Sequence, residues 1–223
     1  MRMRRKGNLD NRIAQSGDYL IATEGTFSDV NKYIEQKEYI NVKSLFGNDN
    51  NIELDLGCGL GSFAILKAMQ NKNINYIAVE KFSNIIIGAI EKAREGQVKN
   101  LKFINCRVEC IEKFIKDESV STIYLNFSNP LPSSTDEKQR LTSQRFLNIY
   151  KKILKNDGKI EQKTDDLEFF EYSIESFKKA GFRVENICYD VGKANIEGNI
   201  VTEHEEKYMK MGKKINRLEA YKC

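Results

Sequence analysis

The chain has 223 residues, of which 40% are hydrophobic and 30% charged, and a formal net charge of +4. These values suit one large soluble domain, or a domain with an extension. They exclude a membrane span, because no apolar run approaches the length that a bilayer requires. The start, MRMRRKGNLD, is basic but no apolar stretch follows it. A secretory signal is therefore not expected, and the cytoplasm is the expected compartment. Five cysteines, an odd number without a framework spacing, point to reduced thiols. Cys106 and Cys110 lie four apart, but no second pair or histidine cluster accompanies them, so no metal site is expected.

Residues 1–50 read as a basic arm (Arg2, Arg4, Arg5, Lys6) followed by one or two helices near 28–46. From residue 51 a strand–helix alternation sets in. NIELDLG (51–57) reads as a strand, Ser62–Gln70 as a helix, INYIAVE (74–80) as a strand and 83–95 as a helix. LKFINC (101–106), a short helix at 109–116 and the strand VSTIYLNF (120–127) follow. Residues 143–154 carry apolar side chains at helical spacing (Phe146, Leu147, Tyr150, Ile153, Leu154). The strand 158–164, a helix at 166–180, the strand 182–190, a helix at 202–211 and a last strand at 213–222 complete the order. Seven strands alternating with helices predict an α/β fold: a mostly parallel, Rossmann-like sheet with helices on both faces. In such sheets ligands bind beyond the carboxyl ends of the strands.

The first strand end carries Gly57, Gly59 and Gly61 at alternate positions, directly before a helix. Glycines there allow a tight turn and close approach of a ligand to the backbone. The spacing is G-x-G-x-G and residue 62 is serine, so the pyrophosphate fingerprint G-x-G-x-x-G is not met. A nucleoside without phosphates, such as S-adenosyl-L-methionine, fits better. Glu80 ends the second strand, where an acceptor for ribose hydroxyls is expected. Asp55 is placed to order the turn or to meet the ligand's ammonium group. A tight structural turn and an exposed strand-end glutamate are the plain alternatives.

The fourth strand runs into NFSNPLP and then EKQRLT. With KTDD, FFEYS and EGNIVTEHEEKYMKMGKKINRLEA, this segment closely resembles the bacterial tRNA (guanine-N7)-methyltransferases, from about residue 51 to the end. The resemblance implies a class I methyltransferase domain at 51–223 behind an extension at 1–50. It implies methyl transfer from S-adenosyl-L-methionine to N7 of a guanine in the tRNA variable loop. It further implies cofactor binding by Asp55, Gly57, Gly59, Gly61, Glu80, Arg107 and Asn129, and substrate binding by Ser133, Asp165, Thr202 and Glu205. Asn129 is then also the catalytic position.

Asp55 stands where the family has a glutamate, and three further positions depart more sharply from the family pattern. Asn129 and Arg107 stand where the family has aspartates, and Ser133 stands where it has a lysine. Guanine N7 carries a lone pair and no proton, so methyl transfer needs no obligatory base, and positioning supplies much of the help. Asparagine keeps a carbonyl acceptor but loses the charge, so restoring aspartate at 129 is expected to raise the rate. Arg107 needs a nearby acid, with Glu109 as the candidate. Thr202 with Glu205 reads equally as a helix capping box, and Asp165 with Glu168 as another. His204, the only histidine, reads as a surface residue of its helix. Two rivals remain at this stage: a non-catalytic relative that binds tRNA or S-adenosyl-L-methionine, and a methyltransferase with a changed acceptor. Oligomeric state is not legible.

Overall fold

The computed structural model describes residues 7–24, 29–194 and 196–223. The basic arm Arg2, Arg4, Arg5 and Lys6 lies outside the described residues. The chain forms two compact units, one ending at Lys116 and one running from Asp117 to Cys223.

The first unit opens with helix α1 (Leu9–Ala14), a 3-10 turn at Gly17–Tyr19 and strand β1 (Leu20–Thr23). Two short helices follow, α2 (Val30–Glu35) and α3 (Val42–Phe46). Asp29 and Asn41 cap them by accepting backbone N–H bonds. Then come β2 (Ile52–Leu56), α4 (Ser62–Gln70), β3 (Asn75–Val79), α5 (Ser83–Glu95), β4 (Leu101–Asn105), a 3-10 turn at Val108–Cys110 and α6 (Ile111–Phe114). The four strands are parallel, in the order β1-β4-β3-β2. Every residue of β3 and β4 is buried, as a parallel sheet covered on both faces requires. The helix α5 supplies one cover through Ile86, Ile87, Ala89, Ile90 and Ala93, all at most 1% exposed.

The second unit runs β5 (Val120–Asn126), a 3-10 segment at Ser134–Gln139, α7 (Gln144–Ile153), β6 (Leu154–Thr164), α8 (Leu167–Lys179), β7 (Phe182–Cys188), α9 (Val191–Ala194), α10 (Glu203–Lys210) and β8 (Asn216–Lys222). Its strand order is β5-β6-β8-β7, with β5 and β6 parallel and β8 antiparallel to both neighbours. Phe169, Phe170, Ile174 and Phe177 of α8 are buried in its core.

The α/β alternation is the one expected, with two differences. The described residues hold eight strands rather than seven. The additional one, β1, is a four-residue edge strand pairing with β4. Strand β6 also begins earlier than expected, directly after α7. Its register against β5 shifts between Val120 and Thr122. Gly158 lies in that bulge, where a Cβ would come within 2.9 Å of Leu154 and 3.1 Å of the Val120 carbonyl.

Candidate active site

The glycine turn and Glu80 are brought together at the carboxyl ends of β2 and β3. Gly57 and Cys58 both donate backbone N–H bonds to the Val79 carbonyl, at 2.8 and 3.0 Å. The turn therefore leaves β2 bonded across to the end of β3. Gly57, Gly59 and Gly61 all have positive φ, at 79°, 55° and 74°. Glu80 accepts from Gly59 N–H at 3.3 Å with one carboxylate oxygen and from Phe82 N–H at 2.9 Å with the other. Its own carbonyl accepts from the buried Asn105 side chain at 2.8 Å, and Asn105 in turn meets Ser83 at 2.7 Å. The strand-end carboxylate is thus fixed in place.

The glycines differ in purpose. A Cβ on Gly61 would lie 2.7 Å from Ala89 Cβ, so this glycine lets the turn pack against α5. A Cβ on Gly59 would meet nothing within 4 Å. Gly59 therefore borders open space, with a carboxylate bonded to its N–H. Asp55 is 4% exposed at the end of β2. Burial pushes the Cys58 thiol well up, and Asp55 and Glu80 add to that shift. Two carboxylates, Asp55 and Glu80, thus stand at a turn that borders open space. That combination fits a cationic nucleoside: a carboxylate for ribose hydroxyls, space against the backbone, and charge to attract a sulfonium.

Arg107 follows β4 and does not stand as an uncompensated cation. Its Nε donates to Glu24 Oε1 at 2.8 Å and its backbone N–H to Glu24 Oε2 at 2.6 Å. Burial works against its charge, and Glu24 outweighs this to raise its pKa. The acid that closes on the guanidinium is thus Glu24, just after β1, rather than the expected Glu109 as its main partner.

In the second unit, Asn129 sits on an exposed bend beyond β5. Its Oδ1 accepts from Leu131 N–H at 3.2 Å. The bend is flanked by two non-glycine residues with positive φ, Phe127 at 51° and Leu131 at 45°. Ser133 is exposed and caps the 3-10 segment, accepting from Thr135 N–H at 3.3 Å.

Asp165 pairs with Lys213, whose ammonium lies 4.4 Å from the centre of the Tyr208 ring. The cap of α8 is Asp166 rather than Asp165, accepting from Phe169 N–H at 2.8 Å. Thr202 caps α10 by accepting from Glu205 N–H at 3.1 Å. Glu205 is fully buried. Its carboxylate meets Lys163 Nζ at 2.8 Å and Asn199 Nδ2 at 3.0 Å rather than returning to Thr202. His204 is exposed, with Phe127 and Tyr208 rings at 4.6 and 4.5 Å. Burial lowers its pKa, Asp165 opposes this, and Lys207 and Lys213 reinforce it. Of the basic residues near the end, Lys210, Lys213 and Arg217 are paired with carboxylates.

Glu24, Lys163 and Arg140 are the contributors that sequence reasoning missed. Arg140 donates twice to the Leu131 carbonyl, at 3.2 and 3.1 Å. The described residues contain no His/Cys/Asp/Glu group able to hold a metal, and none of their helices is long and apolar enough to cross a membrane.

A family model described as a putative methyltransferase matches residues 49–218. The tRNA (guanine-N(7)-)-methyltransferase of Bacillus subtilis (strain 168) is 36% identical over 219 residues, spanning 98% of this chain and 98% of that protein. The protein of the same name from Clostridium beijerinckii is 43% identical over 197 residues, spanning 85% and 90%. Among solved structures, a SAM dependent methyltransferase from Aquifex aeolicus superposes with a TM-score of 0.56 at 14% identity, covering 98% of this chain and all of that one. A 30S ribosomal A1408 methyltransferase from an uncultured bacterium gives 0.55 at 16% identity, covering 92% and 99%. At these identities the two structures speak for the fold alone, the Rossmann-like methyltransferase fold.

Proposed function

The chain belongs to the tRNA (guanine-N7-)-methyltransferase family, and from that premise we propose that it methylates N7 of a guanine in the variable loop of tRNA, using S-adenosyl-L-methionine. The observation that carries the cofactor half is the Gly59–Glu80 bond beside open space at the end of β3. The acceptor half rests on the relatives that span nearly the whole chain.

In this reading Glu80 accepts from the ribose hydroxyls, and Gly57, Gly59 and Gly61 let the nucleoside lie against the turn. Asp55 supplies negative charge behind that turn. Arg107, neutralised by Glu24, shapes the rim without repelling a cation. When bound, the cofactor supplies an electrophilic methyl group on a sulfonium. Guanine N7 carries a lone pair and no proton, so it would accept that methyl group without help from a base. No proton moves. The protein's task is therefore orientation of the base, and that task falls to the bend at Asn129. Ser133, Asp165, Thr202 and Glu205 belong to the second unit's RNA-facing segments. Ser133 contacts RNA as a neutral hydroxyl. Asp165, Thr202 and Glu205 act chiefly by holding α10 and Lys213 in position.

The test is incubation of the full chain with tRNA and labelled S-adenosyl-L-methionine, followed by strand scission at N7-methylguanosine. Product at one variable-loop guanine is expected. Tight cofactor binding by calorimetry without product would mean a non-catalytic relative. Label on another molecule would mean a changed acceptor.

A further inference from the structure

The bend beyond β5 fixes which end of the Asn129 amide is engaged. The Leu131 N–H needs an acceptor, and only the carbonyl end of the Asn129 side chain has lone pairs to offer. Oδ1 is therefore the end turned to the backbone, with one of its lone pairs engaged. The amide nitrogen, on an exposed side chain, is the end turned away from that bond and outward. The other end of residue Leu131 is held as firmly. Its carbonyl accepts from both Nε and Nη2 of Arg140, a residue only 9% exposed whose guanidinium lies 4.3 Å from the centre of the Tyr172 ring. Tyr172 belongs to α8 and stacks on Phe169 of the core. An unbroken chain of contacts thus runs from the core through Tyr172, Arg140 and Leu131 to Asn129. It holds Leu131 in the left-handed region that an unsupported leucine avoids.

We propose that Asn129 is a hydrogen-bond donor that recognises O6 of the acceptor guanine, and that Arg140 is the positioning residue that keeps its Nδ2 turned outward. Guanine presents two acceptors, N7 and O6, on the edge that is methylated, whereas adenine pairs its N7 with an N6 donor. An N–H aimed at O6 selects guanine and leaves the N7 lone pair exposed. A carboxylate in the same pose would put a second acceptor against O6. The expectation from family resemblance, that Asn129→Asp raises the rate, is therefore reversed. This inference rests on the proposed reaction and deepens it.

The test compares a tRNA carrying guanine at the acceptor position with one carrying 2-aminopurine, which keeps N7 and lacks O6. For the wild-type chain the guanine rate exceeds the 2-aminopurine rate by about tenfold, the size of one net hydrogen bond. Asn129→Ala and Asn129→Asp bring that ratio close to one by lowering the guanine rate alone. Arg140→Ala also lowers the ratio, and Arg140→Lys lowers it less. A loss of packing alone would reduce both rates together and leave the ratio unchanged. An Asn129→Asp variant faster than wild type on guanine, or an Asn129→Ala variant with the wild-type ratio, would overturn the proposal. If the wild-type chain methylates no tRNA guanine, the proposed reaction falls and this inference falls with it. If it does and the ratio resists substitution, only the inference falls.

Discussion

The pair Lys163–Glu205 offers the sharpest energetic test. The carboxylate is fully buried and the Lys163 side chain only 6% exposed, with 2.8 Å between Nζ and Oε2. Burial lowers the Lys163 pKa, and Glu205 opposes that shift. The pair joins β6 to α10, and Lys163 also donates to the Ile200 carbonyl at 3.0 Å. Removing one partner leaves a buried charge uncompensated, which costs about 3–5 kcal/mol. Glu205→Ala also strips Asn199 Nδ2 of its acceptor, so its cost belongs at the upper end. Glu205→Gln keeps an acceptor of the same shape toward Lys163. A hydrogen bond to a charged group retains about 1.5–3 kcal/mol, so this variant loses roughly half as much. Lys163→Met combined with Glu205→Ala removes both charges and recovers part of the loss. Urea unfolding at pH 7 measures wild type, Glu205→Ala, Glu205→Gln, Lys163→Met and the double variant, with an unchanged m-value confirming that midpoints report stability. A Glu205→Ala cost below about 1 kcal/mol, or a double variant no better than the sum of the singles, would refute the buried-pair account.

Gly61→Ala places a methyl group 2.7 Å from Ala89 Cβ at a φ of 74°. The left-handed backbone costs roughly 1–2 kcal/mol and the overpacking about 1–3 kcal/mol, so the urea midpoint falls sharply. An unchanged midpoint would mean the turn has room to shift. Glu80→Ala removes the acceptor held by Gly59 and Phe82 N–H, and calorimetry is expected to show at least tenfold weaker S-adenosyl-L-methionine binding. Unaltered affinity would end its ribose role. Burial alone would raise the Glu219 carboxyl, but bonds from Tyr221, Asn186, Arg217 and Lys159 outweigh it and hold the pKa at about 2. The folded state therefore binds fewer protons than the unfolded chain between that value and the usual 4.5. Stability from this group is complete above 4.5 and declines as pH falls toward 2. Urea midpoints measured from pH 6 to 3 fall less steeply for Glu219→Gln than for wild type. Parallel slopes would contradict the assignment.

Most elements were legible because each announces itself locally. Helices α4 and α5 sit where apolar spacing and neighbouring glycines place them, and the Gly57–Gly61 turn declares itself by composition. What escaped detection is non-local. Strand β1 has four residues and exists because β4 offers it a parallel edge. Glu24 is separated from Arg107 by 83 positions and Glu205 from Lys163 by 42, and no periodicity links such partners. The capping box expected at Thr202–Glu205 is half realised. Thr202 accepts from the helix, but a buried ammonium draws the Glu205 side chain the other way. Competition between a local motif and a tertiary partner is settled by burial, which sequence spacing does not report.

Three positions expected to depart from the family pattern, Arg107, Asn129 and Ser133, each have a partner in the structure that sequence spacing does not report. At 107 the guanidinium and the backbone N–H both donate to the Glu24 carboxylate. At 129 the amide carbonyl accepts from Leu131 N–H while Arg140 braces Leu131 from the other side. At 133 the serine hydroxyl caps the segment that leads to Arg140. An amide whose carbonyl accepts from Leu131 N–H turns its own N–H groups away from the backbone, and that is the arrangement on which the proposed recognition of O6 rests.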